Sequence, residues 1–162
     1  MKVSLDKRQK HHVIRFWHAI HDDEIQRLFP SSIHSLDEAL SMFEASERDM
    51  TNSYGRVIYC DDIYIGDVWA YSIDEDHENH AMLSIVIFDK AFWDRGIGTQ
   101  ALQNFISVIF DKYKVDRIGA FTFTSNQGSI KMLKKSGFEL KDSFIEKDVQ
   151  SYYFEISKIN CS

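Results

Sequence analysis

Residues 83–138 constrain the fold of this 162-residue chain more than any other segment. They begin with an alternating apolar run at 83–88, which predicts a buried strand, and a short polar loop follows. Residues 93–99, with glycine at 96 and 98, then lead into a long amphipathic pattern that predicts a helix. Because a helix that starts at glycines leaves backbone N–H groups uncovered at the positive end of its dipole, this junction favours an anion such as phosphate.

The glycine turn by itself has two other interpretations. It can be a plain strand-to-helix bend, or it can belong to a dinucleotide-binding fold. The second interpretation needs a Gly-x-Gly-x-x-Gly run, and here Ala101 occupies the last position. No acidic residue closes a following strand in the way that ribose binding requires.

The rest of the chain predicts helices in the first third and strands after it. Asp22 or Asp23 is expected to cap a second helix, and Ser35 followed by Glu38 is a capping-box signature for a third. The expected buried stripe of that third helix consists of Leu36, Leu40, Met42 and Phe43. After Tyr54 the period becomes two, with a hairpin turn at residues 61–62. One βαβ-like crossover then predicts an α+β fold in a single domain, residues 1–162.

Composition restricts the partners of this chain. It contains 19 Lys and Arg against 25 Asp and Glu, a formal net charge of −6, which argues against nucleic acid and is compatible with a cationic molecule or peptide. The two cysteines, Cys60 and Cys161, are not expected to form a disulfide, which favours a reducing compartment. With no signal peptide or membrane span in the sequence, we expect a cytoplasmic protein with no membrane partner.

A second motif, residues 126–138, narrows the meaning of the first. Asn126 opens a short helix that closes in Lys-Ser-Gly-Phe. Together the two motifs resemble the GNAT superfamily of acetyl-CoA-dependent N-acetyltransferases, which carry R/Q-x-x-G-x-G/A and later N-x-x-[AS]-I-x-x-[YL]-x-K-x-G-F. Trp93 stands at the R/Q position, as in the subgroup that contains ribosomal-protein N-terminal acetyltransferases. The resemblance covers about a third of the chain.

The resemblance implies a fold and a donor site. The fold is a mixed central sheet, splayed between its fourth and fifth strands, with helices on both faces. The donor is acetyl-CoA, held without a metal ion, with the backbone N–H near Phe88 as an oxyanion donor to the thioester carbonyl. The residues expected to bind acetyl-CoA are Ile87, Phe88, Arg95, Gly96, Ile97, Gly98, Thr99 and Asn126.

Catalytic groups are harder to assign, because two positions depart from the family pattern. Leu133 stands where many members have a tyrosine that protonates the leaving thiolate, and Ser136 is the replacement candidate. No glutamate lies on the strand near Leu83, so the candidate bases are His80, Glu78 and Asp67. Coenzyme A can also leave as a thiolate, and water can accept the amine proton, so neither group is obligatory.

The expected activity is acetyl transfer to a primary amine by direct attack in a ternary complex. The acceptor is left open between a protein N-terminal amine, a polyamine and another small amine, including an aminoglycoside. The acidic run at 74–78 would attract such a cation, although a solvated loop is the simpler interpretation. A homodimer is common in such enzymes. The alternative from another class is a non-catalytic acyl-CoA-binding or sensing module.

Overall fold

The computed structural model describes residues 1–48 and 52–160, and Cys161 lies outside them. Its strands are β1 (Val3–Asp6), β2 (Tyr54–Cys60), β3 (Ile63–Asp74), β4 (His80–Ile87), β5 (Arg117–Phe123), β6 (Glu139–Glu146) and β7 (Val149–Ser157). Its helices are α1 (Lys10–Ala19), α2 (Asp23–Leu28), α3 (Leu36–Arg48), α4 (Ile97–Lys112) and α5 (Gln127–Lys135), with 3₁₀ turns at Lys90–Phe92 and Lys158–Asn160. The strands form one mixed sheet in the order β1-β2-β3-β4-β5-β7-β6.

The sheet splays between β4 and β5, as the resemblance implied. These strands pair in parallel only from His80–Arg117 to Met82–Gly119, although each continues for several residues beyond that point. β5 instead pairs along its whole length with β7, and the far half of β4 pairs only with β3. The result is a V-shaped gap whose edges are unpaired backbone.

Helices cover both faces of the sheet. On one face α4 buries Leu102, Phe105 and Ile109 in the main core, where the helix contacts β1 and β3. On the other face Ile20 and Ile25, from the end of α1 and from α2, pack with Val86 and Phe88. Alternate side chains of β4 therefore enter different cores. Across residues 1–48 and 52–160, no helix has both the length and the apolar character to span a membrane.

Local sequence signals located several element ends correctly. Asp61 and Asp62 both have positive φ, 49° and 68°, as a tight hairpin turn requires, so the predicted turn is confirmed. The predicted cap at Asp22 is also confirmed, because its carboxylate accepts from the N–H groups of Glu24 and Ile25 at 3.0 and 3.2 Å. These features depend on neighbouring residues alone.

The predicted buried stripe of α3 is wrong. No residue described in α3 is buried, and Met42 is 54% exposed. The helix packs against α1, so it forms an outer layer rather than a lid on the sheet. Its N-terminus does follow the prediction: Ser35 Oγ accepts from the Glu38 N–H at 3.0 Å, while the Glu38 carboxylate accepts from the His34 N–H at 3.0 Å.

Candidate active site

Two cavities meet at the gap between β4 and β5. The outer cavity has a volume of about 510 Å³ and lies at the starts of α4 and α5. The inner cavity, about 130 Å³, lies between the strands and is likewise open to solvent. The residues that line both are Leu28, Phe29, Ile85, Asn126 and Ser129.

The outer cavity contains the N-terminus of α4. Gly96 adopts the left-handed conformation with φ 78°, and no side chain caps the helix, so its first N–H groups lack a helical partner. Gly98 and Thr99 line the cavity directly. A Cβ atom at Gly98 would lie 2.7 Å from Met132 Sδ, so glycine lets α4 and α5 approach closely here.

The positive charges at this cavity come from α5. Lys131 and Lys135, four residues apart on one helix face, both line it. Sequence reasoning missed this pair, although the spacing was visible. The side chain of Arg95, which was expected to supply charge here, points elsewhere: its guanidinium donates to the Ala91 carbonyl at 3.3 Å and contacts Met1 Sδ at 3.2 Å.

The remaining predicted donor-site residues are split between the cavity and the core. Asn126 lines both cavities, and its Oδ1 accepts from the Ser129 N–H at 3.1 Å, which also caps α5. Ile87 and Gly96 line the outer cavity. The Ile97 side chain is buried in the core beneath α4, so only its backbone faces the helix start.

The oxyanion donor was predicted near Phe88, and the N–H of Phe88 itself does not face the gap. The Phe88 N–H donates to the Ile65 carbonyl at 2.9 Å, and its ring lies in the core under α1 and α2. In an antiparallel ladder every second residue points its N–H and C=O to the neighbouring strand, and the residues between them point away. Since Phe88 points to β3, the backbone groups of Leu83, Ile85 and Ile87 point into the gap. The Ile87 carbonyl accepts a hydrogen bond from Trp93 Nε1–H at 2.7 Å. Ile85, which lines both cavities, presents the N–H that sequence reasoning placed near Phe88.

The inner cavity has an uncharged lining. Leu133 lies there, buried, at the position of the family tyrosine. The polar groups are the Asn126 amide and four hydroxyls, from Ser84, Thr122, Ser129 and Ser151. Within the described residues no carboxylate, histidine or lysine contributes to this lining.

His80 lies at the closed end of the V in a hydrogen-bonded group. Its Nε2 lies 3.0 Å from Tyr153 Oη, which donates to Glu155 Oε2 at 2.7 Å. A carboxylate only accepts, so the tyrosine oxygen must accept from His80 Nε2–H, which leaves Nδ1 as the basic nitrogen. Burial and the charge of Arg117 lower the pKa of His80, against the opposing charges of Glu155, Glu78 and Asp116.

His80 lies outside both cavity linings, but it shares a strand face with Ser84 of the inner cavity. Four residues of strand separate them by roughly 13 Å. A proton can cover that distance only through intervening water.

The acidic loop has mainly structural contacts. The Asp74 carboxylate accepts from the N–H groups of Asp76 and His77 at 3.1 and 3.0 Å, and these bonds lower its pKa. Glu78 forms an ion pair with Arg117 at 3.3 Å. Neither Glu78 nor the rest of this loop lines a cavity.

Asp67 is buried beneath α1, outside both cavity linings. Its carboxylate forms an ion pair with Arg8 at 2.7 Å and accepts from the Tyr64 hydroxyl. Burial raises the pKa of Asp67, and the Arg8 guanidinium opposes that shift. This arrangement ties the N-terminal segment to β3.

Ser136 is the C-cap of α5 and lines neither cavity. Its Oγ is buried without a hydrogen-bond partner among the described residues. None of the four candidate acids and bases lines either cavity, and His80 is the one that lies on the same strand face as Ser84 of the inner cavity.

The outer cavity fits a long ligand with phosphates at one end. Uncapped N–H groups and two lysines converge at its mouth, and a cavity of this volume is typical of a small-molecule site. The unpaired edge of β4 leads from there to the inner cavity. The site offers an anion cradle, a strand edge for amide groups and a small chamber at the end.

Comparisons with known proteins agree with this geometry. A family model described as an acetyltransferase (GNAT) domain matches residues 3–139. A curated relative, the probable N-acetyltransferase YjcK of Bacillus subtilis (strain 168), is 31% identical over 107 residues. The match covers 66% of this chain but only 58% of that relative, so the chain spans less than two thirds of its length.

Solved structures share the fold at low identity. A spermidine N-acetyltransferase from Vibrio cholerae, solved with CoA and spermine, superposes with a TM-score of 0.86 at 15% identity, covering 98% of this chain and 97% of that one. The ribosomal L7/L12 alpha-N-protein acetyltransferase RimL with coenzyme A gives 0.82 at 15%, covering 100% and 97%. The aminoglycoside acetyltransferase AAC(6')-Ib with coenzyme A gives 0.83 at 15%, covering 98% and 96%.

Proposed function

The chain belongs to the GNAT acetyltransferase family, and on that premise we propose that it transfers the acetyl group of acetyl-CoA to a primary amine within a ternary complex. The observation that carries this proposal is the continuous path from the uncapped start of α4, along the free edge of β4, to the inner cavity. Such a path suits a ligand with phosphates at one end and a reactive group at the other.

Acetyl-CoA supplies an activated acetyl thioester. The N–H groups of Gly98 and Thr99, together with Lys131 and Lys135, bind its phosphates. The gap-facing backbone of Leu83 and Ile85 pairs with the pantetheine arm, and the Ile85 N–H donates to the thioester carbonyl as negative charge develops on its oxygen.

The acceptor amine enters the inner cavity and must first lose a proton. Its neutral nitrogen forms a bond to the acetyl carbon while the carbon–sulfur bond breaks. The nitrogen then loses its surplus proton to water, and water protonates the departing thiolate. We assign the amine proton to His80 Nδ1 through water, with Tyr153 and Glu155 holding the ring in the tautomer that leaves this nitrogen free.

A non-catalytic acyl-CoA-binding module is the second candidate. It is favoured by one observation, the lack of any acid or base in the lining of the inner cavity among the described residues. Both candidate functions bind acetyl-CoA in the outer cavity. They differ in whether an amine then reacts with the thioester in the inner cavity.

Incubation of the protein with acetyl-CoA and a panel of amines separates the two candidates. The panel contains peptides with free α-amines, spermidine and kanamycin, and release of free thiol is followed. We expect amine-dependent thiol release and an acetylated product by mass spectrometry. Tight binding of acetyl-CoA by calorimetry with no turnover of any amine would assign the chain to the binding module.

A further inference from the structure

We propose that the acceptor is the α-amine of a polypeptide, whose first residues lie on an aromatic surface of the sheet beside the inner cavity. This inference rests on the proposed acetyl transfer and narrows its acceptor. The aromatic surface consists of Phe121, Phe123, Phe144 and Tyr153.

The first argument is the charge of the chamber that receives the amine. A polyamine or an aminoglycoside carries several ammonium groups, and a site that selects a polycation supplies carboxylates to pair with them. The inner cavity offers none among the described residues. In the outer cavity the carboxylates are Glu24 and Asp94, and Glu24 already pairs with Lys90 at 3.1 Å. A polycation therefore lacks partners at the reacting end of the site.

The second argument is the strength of the available base. An α-ammonium has a pKa of about 7.7–8.0, whereas an alkylammonium has one of about 10.4. The histidine that we assign as base has an ordinary pKa of 6.5 that burial lowers further. Proton transfer to such a weak base is uphill by a small amount from an α-amine and by much more from an alkylamine. The site therefore suits an amine that is already partly neutral near physiological pH.

The third argument is the aromatic surface itself. Phe121 is 54% exposed, and its ring centroid lies 5.6 Å from that of Phe144 and 5.3 Å from that of Tyr153. All three lie on the sheet face opposite α4 and α5, because Ala120 and Phe154 between them are buried on the α4 side. Phe144 and Tyr153 are half-buried, so the cluster presents one exposed ring and the edges of two others, an apolar patch of the kind that recognises another chain.

The aromatic surface is continuous with the inner cavity, since Phe121 and Phe123 also line it. The Tyr153 hydroxyl is already bound to His80 and Glu155, so this residue offers its ring to a ligand. An acceptor lying on these rings would have one end in the chamber and its next residues over β5, β7 and β6. A peptide has that shape, with its amine at the terminus and apolar side chains behind it.

The test uses the full chain with acetyl-CoA and a peptide library whose first four positions are randomised and which contains no lysine. The matched control is the same library with a blocked N-terminus and one internal lysine, alongside spermidine and kanamycin. We expect kcat/KM for the free α-amine library to exceed that of each other acceptor at least about 100-fold.

Variants then test the surface. Phe121→Ala and Phe144→Ala should raise KM for the best peptide about tenfold, as expected for loss of a buried aromatic contact, and leave the Kd for coenzyme A unchanged. The matched control is Leu140→Ala, because Leu140 is 47% exposed on the same sheet but pairs with Phe154 on the opposite face. It should leave KM unchanged.

The outcomes separate this inference from the proposed function. Acetylation of spermidine or kanamycin with an untouched α-amine library overturns the inference and keeps the transferase. No turnover of any amine overturns both. Unchanged peptide KM in Phe121→Ala and Phe144→Ala, together with loss of a dimer in sedimentation, assigns the aromatic surface to a second copy of this chain and overturns the inference.

Discussion

The outer and inner cavities adjoin each other but are built in different ways. The outer cavity uses a helix start, two glycines and two lysines, so its chemistry is mainly that of backbone groups and fixed charge. The inner cavity is assembled from α2, β4, β5, α5 and β7, and its lining is uncharged. The phosphates of acetyl-CoA are the same for every acceptor, so the outer cavity can bind them with backbone groups and fixed charges alone. Under the proposed function the inner cavity meets the acceptor, so its side chains would determine which amine reacts.

The most severe test of the outer cavity is Gly98→Asp. A carboxylate at the start of α4 would repel the phosphates, and its Cβ would compete for space with Met132 Sδ. We expect the Kd for coenzyme A, measured by calorimetry, to rise about 100-fold or more. An aspartate in the first helical turn suits the helix dipole, and the flexible Met132 side chain can shift to admit its Cβ, so the fold should be retained with a modest fall in melting temperature.

The matched control for that variant is Gln100→Asp, which adds the same charge at an exposed position of α4 outside the lining. Equal affinity in Gly98→Asp and the wild type would show that coenzyme A does not bind at this helix start.

A smaller effect is expected from the double variant Lys131→Ala with Lys135→Ala. Both side chains are exposed at the outer cavity, so each contributes modestly to phosphate binding. The Kd for coenzyme A should rise about tenfold, and its salt dependence should weaken. Lys134→Ala, on the same helix but outside the lining, serves as the control. An equal loss of coenzyme A affinity in that variant would mean that the net charge of the helix matters and not contact with the phosphates.

His80→Ala tests whether the inner cavity depends on a distant base. We expect kcat to fall about fivefold near pH 7, because a minor fraction of an α-amine is neutral there and still reacts. Burial lowers the pKa of His80 below its ordinary value, so the wild-type rate should hold near pH 7 and fall only as the pH drops through that lowered pKa. The variant depends on the neutral fraction of the amine alone, so its rate should already fall from about pH 8 downward.

The control for the base is His77→Ala, which removes an exposed histidine from the neighbouring loop. If the rate of His80→Ala falls over the same pH range as that of the wild type, the proton acceptor lies elsewhere.

Leu133→Tyr and Leu133→Phe together test the missing acid. Both enlarge a buried side chain of the inner cavity, and each should cost about 1–3 kcal/mol in the free energy of unfolding. The tyrosine alone restores a hydroxyl. If the thiolate leaves unaided, kcat of Leu133→Tyr should exceed that of Leu133→Phe by no more than about threefold. A larger ratio would mean that thiolate departure limits turnover.

Ser136→Ala has the smallest expected effect. Removing a buried hydroxyl that lacks a partner should leave kcat unchanged and stabilise the fold by about 1 kcal/mol at most. Thermal unfolding and thiol release measure the two quantities. A clear loss of kcat at unchanged stability would return Ser136 to the mechanism as the acid.

Sequence reasoning succeeded where a signal and its effect lie close together in the chain. The glycine turn, the caps at Asp22 and Asn126, and the Asp61–Asp62 turn all follow from local backbone chemistry. It failed where a partner is distant: α3 was expected to bury a stripe, and its exposure depends on how it packs against α1. The Arg95 charge was likewise assigned to the cavity, whereas its side chain turns towards Met1.

The family and the fold class could be identified from the amino-acid order, because the glycine turn and the Asn126 motif together resemble one family, and the same motifs predicted the donor end of the site. Tertiary structure decided the rest. In the ladder between β3 and β4 the N–H of Phe88 points to β3, whereas that of Ile85 points into the gap. Neighbouring residues of a strand point their backbone groups in opposite directions, so the pairing register decides which N–H groups are free. Only folding brings His80 to Tyr153, 73 positions away, and sets the aromatic surface beside the cavity. No local pattern records such contacts.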